Sequence, residues 1–305
     1  MQKTTIVDQY GAPLSDAPQL VVAYKSGDGT IDTSSVQPLS EWNRGPRNLD
    51  LVTQAHGYAL LNILTYELGM VDVDPEGLLR HKIVATLDPH VATMRVLGKI
   101  AEAVVVQECN ESILANRKWG MVARRGNALH WTLDQFQAIG TGLASTQRDH
   151  PTKYNPTDTQ RDVLWVRKSN AKHELLEVVR GGNSGNIAGL QIKVSQDGFK
   201  YIYRSDVARG KYEVPLVYFD LSNDYYRLAN AIYNEERDVR IGVDLVRGRD
   251  ISPECHDLLE SYYWVVLNLV SGKLSLNNLI KDELLFDAFK KDVQEQNLSK
   301  KIVVL

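Results

Sequence analysis

A chain of 305 residues with 43% hydrophobic and 24% charged side chains has the composition of a soluble globular protein large enough for two domains. Its 35 Lys and Arg against 38 Asp and Glu leave a net charge of −3, which excludes a histone-like basic tail protein and a highly acidic disordered chain. The most apolar run, Tyr58–Val71, contains Glu67 and is too short to cross a bilayer, so no membrane span is expected. Residues 1–18 lack a basic segment followed by an apolar one, and no secretory leader is expected. Two cysteines, Cys109 and Cys255, are too few for a disulfide framework or a Cys-based zinc site; this reads as a reducing cytoplasm.

Residues 1–50 read as short strands and turns. LVVAYKS (20–26) is strand-like, Gly27-Asp28-Gly29 is a turn, and Gly45-Pro46 closes the region. From Leu49 to about Leu68 apolar residues recur at helical spacing, interrupted at Asn62, with Gly69 placed to end the helix. Asp74-Pro75-Glu76 predicts the start of another helix, Asp as N-cap and Pro in the first turn. A long helix is predicted from Val91 to about Ala115, burying Val96, Leu97, Ile100, Ala103, Val104, Cys109 and Ile113. HWTLDQFQAIGTG (130–142) reads as a further helix ending at glycine, and the polar stretch 145–160 as a loop. Strands are predicted at 162–167, 174–180, 187–195 and 214–221, with FKYIYRSDV (199–207) as another. After Asp224 the pattern is helical to near the C-terminus. Tyr262, Tyr263, Trp264, Val266, Leu267 and Leu269 are too apolar to be left exposed, and predict packing on the sheet or on a second subunit. Three regions are expected: a mixed strand and helix region over 1–90, a core over 91–235, and a helical region over 236–305. The fold class is α/β, a central mixed β-sheet flanked by helices with N-terminal and C-terminal helical additions.

Charge is unevenly spread. From Arg117 to Glu213 there are 16 Lys and Arg against 9 Asp and Glu, in a chain that is acidic as a whole. A basic middle suggests an anionic partner such as nucleic acid, with Arg117, Lys118, Arg124 and Arg125 placed to grip a phosphate backbone. Trp119, Trp131 and Trp165 read as core residues. No P-loop, GxGxxG, HExxH or GxSxG pattern is present, and the seven histidines form no pair at metal-ligand spacing on one helix. Glycines in Gly181-Gly182-Asn183-Ser184-Gly185-Asn186 form either a phosphate-contacting loop or a flexible turn.

One set of residues fits a known chemistry. Phosphodiester hydrolysis needs an activated water and neutralisation of charge on the transition state; carboxylates holding Mg²⁺ supply both, and a nearby lysine can orient the water. A compact assembly puts one carboxylate on a helix packed against a sheet, a second at the start of a strand, and an acid-x-Lys pair on the adjacent strand, where alternation points both residues to one face. Glu102, Asp162, Gln191 and Lys193 are the candidates. Lys193 in an otherwise apolar strand requires a partner, since burying a lone ammonium is costly.

Three segments carry a resemblance in the right order. Gly98-Lys99-Ile100-Ala101-Glu102 is similar to a G-x-x-x-E helix motif, Arg161-Asp162-Val163-Leu164-Trp165-Val166 to an acidic residue opening an apolar strand, and Ala188-Gly189-Leu190-Gln191-Ile192-Lys193 to a (D/E)-x-K strand. Over about residues 92–235 the chain resembles the PD-(D/E)xK nuclease superfamily, and VPLVYFDL is similar to that family's next core strand. The resemblance implies a restriction-endonuclease-like core and a Mg²⁺-dependent (or Mn²⁺-dependent) DNA endonuclease of restriction or defence, RNA being an open alternative. Glu102, Asp162 and Gln191 would hold metal and Lys193 would orient the attacking water. The chain departs from the pattern at Arg161, where the family has proline, and at Gln191, where it has an acid, which lowers the charge on the metal by one. Glu174 or Glu177 is an alternative strand acid. Two other readings stay open: a non-catalytic nucleic-acid-binding protein on a decayed nuclease fold, and a protein-interaction module. A homodimer or partner subunit through the C-terminal helices is also compatible with the sequence.

Overall fold

The computed structural model describes residues 21–22, 30, 37–38, 49–82, 88–126, 130–169, 174–179, 187–204, 206–207, 212–235 and 238–302. The turn at 27–29, Gly45-Pro46 and the glycine-rich loop 181–186 lie outside the described residues. The chain divides into two compact units, residues 1–50 and 51–305. The boundaries expected at 90 and 235 therefore fall inside one unit. In the first unit β1 (Val21–Val22) pairs antiparallel with β2 (Gln37–Pro38).

The second unit begins within α1 (Leu49–Asn62), which loosens at Asn62 into a π-helical turn, Ile63–Glu67. Gly69 follows at φ 60°, a left-handed stop that glycine adopts without penalty. The helix expected at Asp74 is instead a hairpin of β3 (Val71–Val73) and β4 (Leu79–His81). Asp74 does cap, but caps a turn: its Oδ1 accepts the Leu78 N–H at 2.8 Å, and Gly77 at φ 79° reverses the chain.

The long helix is two. α2 (Pro89–Glu111) starts at Asp88, whose side chain accepts the His90 N–H, with Pro89 at the first helical position. Ser112 is extended, ends α2 and caps α3 (Ile113–Ala123) by accepting from Ala115 N–H. The predicted buried face of α2 is buried, whereas Ile113 is 53% exposed beyond the break.

Residues 130–142 also differ from expectation. After a single helical turn, α4 (His130–Leu133), the chain extends as β5 (Phe136–Gly140). The spacing of Leu133, Phe136 and Ile139 fits a helix, but tertiary partners decide. β5 pairs antiparallel along its whole length with β6, and Asn110 of α2 both donates to the Ala138 carbonyl (2.9 Å) and accepts from its N–H (3.0 Å). The expected loop after it contains a short helix, α5 (Ala144–Asp149). β6 (Val163–Arg167), β7 (Gly189–Ser195) and β8 (Leu216–Asp220) match the predicted strands. The strand expected over 174–180 is reduced, among the described residues, to isolated bridges at Leu175 and Glu177, and FKYIY (199–203) is a π-helical turn. α6 (Tyr225–Glu235) precedes an unanticipated strand, β9 (Leu245–Arg247), then a short α7 (Gly248–Ile251), α8 (Pro253–Val270) and α9 (Glu283–Ile302).

The result is mixed α/β. One five-stranded sheet runs β5-β6-β7-β8-β9; the first three strands are antiparallel neighbours, and β7, β8 and β9 are parallel. α2 packs on the sheet and α8 packs along α2. Tyr262, Tyr263, Val266 and Leu269 of α8 are buried within this chain, and Trp264 and Leu267 are half-buried. Among the described residues no helix is long and apolar enough to cross a membrane.

Packing at Gly57 in α1 is close: a Cβ there would stand 2.1 Å from the carbonyl oxygen of Leu279. Backbone cannot step aside as a side-chain tip can, and overpacking costs on the order of 1–3 kcal/mol. Gly57→Ala, which raises helix propensity, is therefore expected to lower the thermal midpoint by several degrees. An unchanged or raised midpoint would contradict this packing.

Candidate active site

Asp162 stands directly before β6, opposite Gln191 on β7. Its backbone is fixed on both sides: Thr141 N–H donates to its carbonyl at 2.9 Å and its own N–H donates to Leu190 O at 2.8 Å. At this point β6 and β7 part, and the side chain takes over from the ladder. Asp162 Oδ2 accepts the Ile192 N–H at 2.7 Å and a bond from Gln191 Nε2. Glu102 projects from the middle of α2 against the same place. The rotation of α2 is set by Asn110, whose side chain bonds Ala138 of β5, and by Glu108, which accepts from Trp119 Nε1 (2.7 Å), Ser252 Oγ (2.8 Å) and Cys255 Sγ (3.1 Å).

Glu102, Asp162, Gln191 and Lys193 all line one cavity of about 530 Å³. Glu102 is 3% exposed, Asp162 6% and Gln191 5%. Burial pushes the Glu102 carboxyl up to about 8; the neighbouring Asp162 carboxylate adds to this and Lys99 opposes it. Burial also raises Asp162 above the usual carboxylate range, against the Ile192 N–H and the charges of Lys99 and Lys193. Two desolvated acids therefore face each other and cannot both ionise cheaply. Glu102 Oε2 and Gln191 Oε1 are buried without a hydrogen-bond partner. An all-oxygen donor set with orphaned buried acceptors and paired carboxyls fits a hard divalent cation such as Mg²⁺ or Mn²⁺. Glu102, Asp162 and Gln191 are the residues that would hold it.

Two lysines flank the acids, and the sequence pointed to only one. Lys193 is caged: its Nζ lies 3.7 Å from Asp206 Oδ2 and over the rings of Tyr201 and Tyr212 at 5.3 and 5.4 Å. Burial disfavours its charge, but Tyr201, Tyr212 and Asp206 outweigh burial and hold it above its ordinary value. Lys99, one turn before Glu102, donates to Glu102 Oε1 at 2.6 Å. Its signal was in the motif itself, as the residue after Gly98, read there as spacer. Lys82 and Arg95 also line the cavity, so four cations accompany its two acids.

The proposed backbone-gripping cluster differs from expectation. Arg124 is buried and donates to Val178 O; Arg125 donates to Asp244 and to Glu213 O; Arg117 holds Asp134 through two bonds. Three of the four are thus structural cross-braces, and Lys118 is exposed. Glu174 and Glu177 line a second cavity of about 680 Å³ with Arg124 and Arg167, not the cavity of Glu102. Trp119 and Trp165 are core residues, but Trp131 is 65% exposed at the rim of that second cavity. One cluster was not foreseen: His256, Asp257 and Glu260 on α8 bring ligand atoms within 4.8 Å of one another. His256 is fully buried, stacks on Phe219 and meets Glu260 at 3.3 Å, an arrangement that braces the helix on the sheet.

No protein-family model, curated protein or solved structure matches the chain. The chemistry of the cavity is what bears on function.

The raised Glu102 carboxyl has a consequence for stability. Its value is 4.5 when unperturbed and about 8 in the fold, so the folded state binds the proton more tightly. Its contribution is neutral below about 4.5, and stability is lost as pH rises from there to about 8, by roughly a few kcal/mol at most. In chelator, Glu102→Gln should therefore raise the thermal midpoint, by more at pH 8.5 than at pH 5. A difference between variant and parent that does not change with pH would rule out a destabilised carboxyl here.

Proposed function

We propose that this chain is a metal-dependent nuclease that hydrolyses phosphodiester bonds in DNA. The observation that carries the reading is the pair of buried, facing carboxyls of Glu102 and Asp162 in a cavity whose other charged lining residues are all cations. Acids alone would repel a phosphodiester and cations alone would bind one without reacting it. Together they supply a cation site and a place for an anionic substrate. The arrangement is also the one the sequence motifs call for: Glu102 on a helix packed on the sheet, Asp162 at the start of β6, Gln191 and Lys193 on the adjacent β7, and β8 beside it. This supports a restriction-endonuclease-like core for the region around residues 92–235.

When bound, Mg²⁺ would supply a lowered water pKa and charge neutralisation at the phosphoryl oxygens. The chain's own residues do the rest. Glu102 and Asp162 would hold the ion through carboxylate oxygens and Gln191 through a neutral amide oxygen, all three lining the one cavity. Ile192 N–H keeps Asp162 oriented, and Lys82 and Arg95, which also line the cavity, would hold the phosphates on either side of the reacting one. Water then attacks phosphorus, the ester P–O bond breaks, one proton leaves the water and the departing oxygen gains one.

A second reading draws on Gln191. Its amide N–H satisfies Asp162 without any ion, which suits a protein that binds nucleic acid on this fold and does not cut it. Incubating supercoiled plasmid with the purified protein separates the two. Nicking is expected in Mg²⁺ or Mn²⁺ and not in chelator, and Glu102→Ala or Asp162→Ala should each lower it by on the order of 10²-fold or more. Equal nicking in chelator would refute the mechanism. Tight, salt-sensitive duplex binding with no nicking would favour the binding protein.

A further inference from the structure

Resting on the nuclease reading, we propose that the catalytic lysine is Lys99 of α2, touching the reacting phosphate and its attacking water, and that Lys193 of β7 is structural. The motif order assigns the role to Lys193, but the two lysines differ in what already holds them. Lys193 is 14% exposed and its partner Asp206 3%, at 3.7 Å. Tyr201 and Tyr212 close over its ammonium at 5.3 and 5.4 Å, and the Tyr212 hydroxyl donates to the same Asp206 oxygen at 3.2 Å. To act on a substrate, Lys193 would have to give up its place beside Asp206 and the rings of Tyr201 and Tyr212, a costly exchange for an ammonium that is already largely buried. The cage instead explains how a lysine is accommodated in a central strand, and it ties β7 to the segment after the Phe199 turn.

Lys99 has the opposite properties. Its side chain is 42% exposed, so its ammonium keeps contact with solvent and is open to an incoming anion. It stands 2.6 Å from Glu102 Oε1, at the acids themselves. Its Nζ lies beside Gly142, 3.7 Å from where a Cβ would be, so position 142 itself puts no side chain against it. A single bond to Glu102 is all it needs to exchange. With Glu102 among the residues that would hold a cation, the Lys99 ammonium stands beside one of the ligand oxygens with donors to offer. In the hydrolysis, where the water–phosphorus bond forms and the ester P–O bond breaks, Lys99 donates hydrogen bonds to the water oxygen and a non-bridging phosphoryl oxygen. It remains protonated throughout, and charge is conserved.

The test compares Lys99→Ala, Lys99→Arg and Lys193→Ala in the full chain, by plasmid nicking in Mg²⁺ at 25 °C and by thermal midpoint in chelator. Lys99→Ala is expected to lower kcat by 10²–10³-fold with a midpoint within about 2 °C of the parent, and Lys99→Arg to restore part of the rate. Lys193→Ala is expected to lower the midpoint by several degrees while the folded fraction still cleaves within about threefold of the parent. If Lys193→Ala is too unstable to assay, Lys193→Met, which keeps the aliphatic stem in the cage, takes its place with the same expectation for cleavage. Near-normal cleavage by Lys99→Ala, with loss of cleavage in a folded Lys193 variant, would overturn the assignment while leaving the nuclease reading intact. A parent protein that cleaves neither duplex nor single strand in Mg²⁺ or Mn²⁺ would overturn the nuclease reading, and this one with it.

Discussion

Everything at this site follows from the meeting of Glu102 and Asp162. Each is held by backbone geometry that the rest of the fold imposes, and each is almost wholly withdrawn from the molecular surface. Left alone, such a pair is a liability. A sequence selected for stability would place leucine or glutamine on α2 at position 102, a buried helical site flanked by Ala101 and Ala103. The fold instead spends several of its polar contacts on holding α2 in one rotation. Asn110 grips both polar groups of Ala138, and Glu108 collects donors from α3 and from the start of α8. Those anchors lie two turns along α2 from Glu102, close enough to set where its carboxyl stands.

The other end of the parallel strands is built differently, and the contrast is informative. Asp220 at the end of β8 is fully buried, yet Arg247 of β9 meets it at 2.9 Å and Tyr225 N–H donates to it at 3.2 Å. Asp224 is likewise buried and accepts from Tyr218 Oη at 2.7 Å and Gly198 N–H at 2.7 Å. Both acids are satisfied by protein groups, the ordinary condition for a buried carboxylate. Glu102 Oε2 is not. Within one sheet, then, the same residue types are closed off at the Asp220 end and left open at the Asp162 end, next to a cavity. That difference in satisfaction, more than the presence of acids, is what sets the Glu102 cavity apart from the Asp220 end.

Much of this was legible in the sequence where one signal dominated. The strands β6, β7 and β8 carry continuous apolar, β-branched runs, and α2 carries a long apolar stripe with Asp88-Pro89 before it, so both were read correctly in kind. The motif spacing brought Glu102, Asp162, Gln191 and Lys193 to one cavity. Reading failed where local signals are degenerate. Asp-Pro opens helices and turns alike, and only Gly77 two residues on distinguishes the hairpin. HWTLDQFQAIG satisfies both periods, and the choice is made by β6 and Asn110, which no local window contains. Arg117, Arg124 and Arg125 form a basic cluster in sequence, but each faces a carboxylate or carbonyl brought in by the fold, from Asp134, Val178 and Asp244. The partner of Lys193, Asp206, sits in a segment that reads as a strand and is a π-helical turn with its continuation.

Gln191 then takes on a specific meaning. An acid at that position would put three carboxyls around one point, in a wall where two already suppress each other's ionisation. Without a cation such a site could be held only by further protonation or by opening. The amide supplies a donor to Asp162 and adds no charge, so the cavity is self-consistent before any ion enters. The cost falls on the loaded state, which in the proposed nuclease holds one negative charge fewer against the cation and should bind it less tightly. A second ammonium close to the acids is easier to tolerate in such a site while the cavity is empty of a cation, because Lys99 offsets part of the mutual repulsion of Glu102 and Asp162 that Gln191 does not relieve. The glutamine on β7 and the lysine on α2 thus address the same electrostatic problem from opposite walls of the cavity.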